Sequence, residues 1–172
     1  MTDILIRPGL RTDLPQLTEI HNHYVLNTHI TFDVEPYKPE QRVGWFETHS
    51  DGHRYRLLVA EERRAGVIGY ACTGPFRPKA AYDTTVEISV ACRADAAGKG
   101  IGSRLYKALF EAIANEDINR IVAGIAQPNL ASNTLHQRFG FTPVGTLTAV
   151  GRKFGKYWDV LWMERPLILP MR

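Results

Sequence analysis

TTVEISVACRADAAGKGIGSRLYKALF, residues Thr84 to Phe110, changes its hydrophobic period part way along, and that change decides the fold. Over Thr84 to Cys92, Val86, Ile88 and Val90 alternate with Thr85, Glu87, Ser89 and Ala91. Period two with β-branched residues prevailing predicts a strand, and it puts Glu87 on the face opposite the aliphatic side chains. From Ile101 the apolar positions are Ile101, Leu105, Ala108, Leu109, Ala112 and Ile113, the spacing of one helix face. Gly98, Gly100 and Gly102 lie where strand hands over to helix. Glycine lets backbone N–H groups turn toward a ligand, and a helix N-terminus carries partial positive charge with unpaired N–H donors. The turn therefore suits a phosphate or pyrophosphate, and a Gly-rich connection without a ligand would carry the same glycines.

Outward toward the C-terminus, Arg120 to Ala126 reads as a strand, and Pro128-Asn129 opens a helix that carries Leu135 and Phe139 and stops at Gly140. Strand, helix, strand, helix over Thr84 to Gly140 implies a right-handed crossover between neighbouring parallel strands. Val144 to Val150 and Tyr157 to Met163 then predict a final hairpin, with Gly151 and Gly155 around its turn. Toward the N-terminus, Tyr55 to Glu61 and Val67 to Thr73 read as an antiparallel hairpin feeding the Thr84 strand. Ile4 to Arg7 is a first strand. A helix follows with Thr12 as its N-cap, Pro15 in its first turn, and Leu14, Leu17, Ile20 and Tyr24 at helical spacing. Pro39 to His49 is a second helix, and residues 27–39 are an irregular loop with Phe32 and Tyr37. His21 and His23 lie two apart, so on a helix they face different ways and make a poor metal pair.

With 172 residues, 44% of them hydrophobic, one α/β domain spanning 1–172 is expected, a mixed central sheet flanked by helices. The formal charge of +3 is dispersed without a basic run, which argues against nucleic acid and is satisfied by a small anionic ligand. Cys72 and Cys92 sit in apolar strand-like runs, as buried thiols of a reducing compartment do, and a cytoplasmic protein is the simplest reading. No stretch of about 18 uncharged apolar residues occurs, so neither a signal peptide nor a membrane span is expected.

Two phosphate motifs are excluded by residue order. A P-loop needs Lys and Ser or Thr directly after its last glycine, whereas Lys99 lies between glycines, and a dinucleotide fingerprint needs a glycine where Leu105 stands. What remains, GKGIGS after an acid-bearing strand, resembles the acetyl-CoA motif of the GNAT superfamily of N-acetyltransferases, Q/R-x-x-G-x-G/A, with Gly100 and Gly102 as its small residues and Ala97 in place of the opening Gln or Arg. A second motif of that superfamily, N-x-x-[SA]-x-x-L-Y-x-x-x-G-F, is matched from Asn129 through Ser132 and Leu135 to Gly140 and Phe141, with His136 in place of the tyrosine. The segments NHY (Asn22 to Tyr24), TFDVEP (Thr31 to Pro36), GPFRPKAAYDTTVEISV (Gly74 to Val90) and GRKFGKYWDV (Gly151 to Val160) resemble the phosphinothricin N-acetyltransferases, whose relatives act on methionine sulfoximine or sulfone.

The resemblance implies acetyl-CoA as co-substrate, no metal, and a small amine acceptor. Its cofactor contacts fall on Val90, Ala91 and Cys92 along the strand, on Gly98, Lys99, Gly100, Ile101, Gly102 and Ser103 around the pyrophosphate, and on Asn129 and Arg138. Phe32, Arg77, Lys79, Tyr82 and Glu87 form the acceptor side, the Arg and Lys facing acid groups. A homodimer is implied as well, with Phe154, Tyr157, Trp158 and Trp162 of the last hairpin near its interface or simply in the core. An amine must lose a proton before it attacks a thioester, and Glu87 is the only acid in the strand leading into the phosphate turn. Glu87 is thus the expected general base, against the reading of an exposed strand-face glutamate. A strand N–H near Val90 would stabilise the developing oxyanion if the strand splays there. His136 either protonates or orients the departing thiol, or is a hydrogen-bonded histidine on the inner helix face. Two alternatives stay open: a different acceptor amine, such as a peptide N-terminus, and an acetyl-CoA sensor without turnover. A polyamine acceptor is disfavoured by like charge at Arg77 and Lys79.

Overall fold

A computed structural model describes residues 4–49, 53–96 and 98–168. Ala97, the departure from the cofactor motif, lies outside them. Seven strands form one sheet: β1 (Ile4–Pro8), β2 (Leu57–Glu62), β3 (Gly66–Pro75), β4 (Thr85–Cys92), β5 (Arg120–Ala126), β6 (Thr142–Lys153) and β7 (Lys156–Pro166), in the spatial order β1-β2-β3-β4-β5-β7-β6. Every neighbouring pair is antiparallel except β4 and β5, the parallel pair that the crossover predicts. The helices are α1 (Leu14–Asn27), α2 (Val43–Glu47), α3 (Ile101–Ala112) and α4 (Leu130–Arg138).

The sheet is covered on both faces. Val86 and Ile88 of β4 point toward α3, whose Ile101, Leu105, Tyr106 and Leu109 are at most 1% exposed, and Ile121, Ala123 and Ile125 of β5 join the same core. The side chains of the opposite face, Val59, Val67, Tyr70 and Cys72, pack under Leu17 and Ile20 of α1. This second face carries Glu87, because Glu87, Ser89 and Ala91 stand opposite Gly74, Cys72 and Tyr70 in the β3–β4 register.

Local chemistry moves some boundaries. A 3-10 turn at Arg11–Asp13 precedes α1, so the residue before the helix is Asp13, not Thr12. The Asp13 carboxylate is drawn away from capping by Arg7, whose guanidinium donates to it at 2.7 and 3.0 Å, and by the Leu10 N–H at 2.8 Å. The segment read as one helix from Pro39 divides into a 3-10 turn, Pro39–Arg42, and α2.

Candidate active site

The parallel pairing that builds the site is short. β4 and β5 are in register only at Thr85, Val86 and Glu87, opposite Arg120, Ile121 and Val122. From Ile88 onward the two strands part, and the edge of β4 that faces β5 has no strand partner. A cleft of about 340 Å³ opens on one side of this fork and a cavity of about 360 Å³ on the other. Tyr24, Ile30, Val90 and Ala91 line both, so the two spaces meet along the splayed end of β4.

The first space is built mostly from backbone. Gly98, Gly100, Ile101, Gly102 and Ser103 line it from the loop and the first turn of α3, Val90, Ala91 and Cys92 from β4, and Asn129 and Arg138 from the two ends of α4. Gly98 and Gly100 have φ of +76° and +77°, in the left-handed region where a side chain is strained, and no atom lies within 4 Å of where a Cβ would stand on either. Gly100 is the N-cap of α3 and brings no side-chain acceptor to the first N–H groups of the helix, which have no acceptor within the helix either. Donors, dipole and open space together make a cradle whose chemistry suits an anion such as a pyrophosphate. Gly102 has a different reason: a Cβ there would lie 3.2 Å from Leu135 and 3.8 Å from Val90, so glycine lets α3 approach α4 and β4. Lys99 is exposed and is not among the lining residues. Asn129 caps α4 by accepting from the Ser132 N–H at 3.1 Å.

His136, in contrast, faces away from the cleft. It is 3% exposed, accepts from the Tyr106 hydroxyl at Nε2 over 2.9 Å, and donates from Nδ1 to the Ser132 carbonyl at 2.8 Å. Burial lowers its pKa, only partly offset by the Ser132 carbonyl, so the ring is neutral at physiological pH with both nitrogens engaged. Of its two readings, the geometry is that of the hydrogen-bonded inner-face histidine. The motif reads as a reaching side chain because Ser132, one turn earlier, does line the cleft.

The second space is built from side chains that lie far apart in sequence. His21 and Tyr24 come from α1, Phe32 from the loop, Arg42 from the 3-10 turn, Trp45 from α2, Tyr70 and Cys72 from β3, and Ser89 from β4. Phe32 packs so closely on Gly151 that a Cβ on that residue would collide with its ring. Lys153, two residues on and buried, donates to the Thr31 carbonyl at 2.8 Å, and Trp158 stacks on His29 with centroids 4.0 Å apart. The last hairpin therefore holds the loop over the cavity. Its aromatics divide: Trp158 and Trp162 pack inward, Trp162 lying against Phe76, while Phe154 and Tyr157 are 57% and 65% exposed.

Glu87 sits one step down β4 from Ser89 on the same face, beside Arg77, and does not itself line the cavity. Burial raises its pKa and the Arg77 charge works against that rise. Arg77 lies over the Phe76 ring at 4.9 Å, and Tyr82 meets the same ring edge-on; these residues and Lys79 form the loop beyond the cavity. Pattern reading assigned no acceptor-side role to His21, Tyr24, Arg42, Trp45, Tyr70, Cys72 or Ser89, although Tyr24 lies inside the NHY segment and Ser89 inside GPFRPKAAYDTTVEISV. Burial pushes the Cys72 thiol to about 12 and that of Cys92 to about 11, so neither is a thiolate nucleophile at neutral pH. Among the described residues no cluster of His, Cys, Asp or Glu could hold a metal, and no helix is long and apolar enough to cross a membrane.

Residues 6–162 match the family model described as acetyltransferase (GNAT) domain. The chain is 53% identical to the phosphinothricin N-acetyltransferase of Streptomyces coelicolor, covering 96% of this chain and 97% of that protein. It is 38% identical to the L-methionine sulfoximine/L-methionine sulfone acetyltransferase of Pseudomonas aeruginosa, covering 92% of each. Its fold is similar to the crystal structure of a phosphinothricin acetyltransferase from Sinorhizobium meliloti in complex with acetyl-CoA, with a TM-score of 0.89 and 34% identity over 96% of this chain and 89% of that one. The forked sheet, the glycine cradle at the start of α3 and these likenesses agree, and the chain belongs to the GNAT family of acetyltransferases.

Proposed function

We propose that this chain transfers the acetyl group of acetyl-CoA to the primary amine of a small acidic amino-acid analogue, of the class of phosphinothricin, methionine sulfoximine or methionine sulfone. The observation that carries the reading is the junction at Val90 and Ala91, where a cleft suited to a pyrophosphate-bearing donor opens into a cavity that an amino acid would fill. The cradle at Gly98 to Ser103 holds the pyrophosphate and leaves the thioester at the fork. There the unpaired edge of β4 offers N–H donors to the oxygen that gains charge.

Glu87 takes the proton from the amine, directly or through a water, and a raised pKa makes it a better base for that task than an ordinary glutamate. The amine nitrogen bonds to the acetyl carbon and the C–S bond breaks. The departing thiol has a pKa near that of cysteine, about 8.5, so its protonation makes little demand on the protein. His136 contributes by holding α4 against α3. Direct transfer, with no acyl-cysteine, is supported by the raised pKa values of Cys72 and Cys92. Arg77 and Lys79, on the loop beyond β3, face the acid group at the far end of the acceptor. The exposed Val144, Leu147, Val150, Phe154 and Tyr157 of the last hairpin make an apolar face suited to a homodimer.

The test is thiol release from acetyl-CoA for wild type and Glu87→Gln with phosphinothricin, methionine sulfoximine, methionine sulfone, common amino acids and polyamines. Saturable turnover with the first three is expected, reduced about 10²- to 10⁴-fold in Glu87→Gln while acetyl-CoA binding survives. Turnover confined to other amines would remove the proposed acceptor class, and acetyl-CoA binding without any turnover would make the chain a sensor.

A further inference from the structure

We infer that Arg42 is the carboxylate receptor of the acceptor cavity, pairing with the α-carboxylate of the bound amino acid so that its amine is presented at Val90 and Ala91. This rests on the acceptor reading above and adds a recognition residue that the motifs do not contain.

Arg42 ends the 3-10 turn Pro39–Arg42 and is 6% exposed. None of the ion pairs among the described residues includes it. Its Nη1 donates to the Leu17 carbonyl at 3.1 Å, and its guanidinium lies 4.0 Å over the Trp45 ring. These contacts fix the plane of the group and leave part of its five-donor fork unused. Asp33, the carboxylate bonded to the cavity residue His21, is already committed to His21 at 2.8 Å, Tyr37 at 3.0 Å and Thr31 at 3.1 Å. The cavity lining contains no Asp or Glu, and Arg42 is its one permanently charged side chain.

A buried cation without a counter-ion is costly, and that cost is relieved when an anion enters. Arginine presents a planar fork that a carboxylate matches with two parallel hydrogen bonds. Position selects which acid group is bound. Arg42 lines the same cavity as Tyr70 and Cys72, which stand opposite Ala91 and Ser89 in the register of β3 and β4, and Arg77 and Lys79 do not line it. The carboxylate of an α-amino acid is attached to the same carbon as its amine, so it enters the cavity with the amine. The second acid or polar group, the one that differs between a phosphinate and a sulfone, is left to the Arg77 and Lys79 loop.

The experiment is calorimetric titration of the CoA-saturated protein with L-methionine sulfone and with 3-(methylsulfonyl)propan-1-amine, the same molecule without its carboxylate, for wild type, Arg42→Lys and Arg42→Gln. Wild type is expected to prefer the amino acid by about 30-fold, the discrimination that a charged, bidentate pair supplies. Arg42→Gln should bind the two ligands equally, with the amine's affinity unchanged, and Arg42→Lys should keep only part of the preference because it has charge without the fork. The inference is overturned by a wild type that does not discriminate, a result that needs no variant to fold. It is equally overturned by variants that weaken both ligands in parallel, the signature of a merely structural arginine. Turnover is read separately: Arg42-dependent binding without thiol release would break the acetyl-transfer reading alone, and turnover without Arg42-dependent discrimination would break this inference alone.

Discussion

The cleft proposed for the cofactor and the cavity proposed for the acceptor share four residues and are built on opposite principles. The cleft is lined mainly from the end of β4, from Gly98 through the first turn of α3 and from α4, and at the α3 turn what it offers is backbone N–H. The cavity draws on α1, the loop over residues 28–33, the Arg42 turn, α2, β3, β4, β5 and β7, and what it offers is side chains. A backbone site tolerates variation in side chains and demands glycine where the chain turns. A side-chain site tolerates backbone variation and demands that distant segments be held together. The donor half is therefore suited to a constant ligand and the acceptor half to a variable one.

The largest effect that would sharpen this contrast is expected at Gly151, which lines neither space. Any Cβ there collides with Phe32, so Gly151→Ala must push the loop off the cavity or bend β6. Overpacking of this kind costs about 1–3 kcal/mol. If most of it falls on the loop, the acceptor KM rises by up to about 100-fold while the KM for acetyl-CoA stays within twofold. Equal loss of both would show that the hairpin supports the whole fork and that the two halves are not separable.

Gly100→Ala is the converse, with a smaller effect. Its φ of +77° puts alanine in the left-handed region, at a cost of about 1–2 kcal/mol. No neighbouring atom obstructs the new methyl group, so the cost is local strain in the cradle. Acetyl-CoA affinity should fall about tenfold, read by titration, and acceptor KM should not move. A change in the acceptor term would mean that the cradle also sets the position of the β4 edge.

Legibility in the sequence follows the same division. The strand over Thr85–Cys92, the helix from Ile101, the β5 strand and the Asn129 cap are all local patterns, in which period and capping residue come from neighbours along the chain. The turn from Gly98 to Ser103, which lines the cleft without Lys99, was legible for the same reason, whereas Tyr24 and Ile30, which line it from α1 and the following loop, were not. Arg42 could not be found this way. On a predicted helix it looks like any solvated arginine, and only the docking of its turn beneath α1 buries it against Leu17 and Trp45. His136 misleads in the opposite sense: its motif position is right and the side chain turns inward, because Tyr106 supplies a buried hydroxyl for it to accept from. Tyr106 itself was not among the expected core positions, since a tyrosine is buried only where its hydroxyl finds a partner.

Glu87 gives a smaller test, at the fold rather than the reaction. Its pKa in the folded state is raised, so the protonated form is the one the fold prefers. The stability it contributes is present below the unfolded carboxylate value, about 4.3, and is lost as pH rises through the folded value. At pH 7 the wild type holds a partly desolvated charge that Glu87→Gln does not, so that variant should melt a few degrees higher there, and the gap should close as pH falls toward 4. The kcat/KM of wild type should fall about tenfold per unit below the Glu87 pKa, because the proposed base acts only when ionised. A variant that melts lower at pH 7 would place the carboxylate in a stabilising pair with Arg77 and not in a desolvated site.

His136→Gln should have the smallest effect on chemistry. Glutamine can accept from the Tyr106 hydroxyl and donate to the Ser132 carbonyl, so no buried group is left unpaired, and the loss is one of shape in the cluster with Phe139 and Phe141. Stability should fall by about 1 kcal/mol, and kcat should stay within twofold. His136→Leu, which leaves the Tyr106 hydroxyl buried without an acceptor, should cost about 1–3 kcal/mol more at equally unaffected kcat. A drop in kcat in the folded Gln variant would mean that α4 turns its histidine toward the cleft during turnover, and the acid for the departing thiol would then come from the side-chain core and not from solvent.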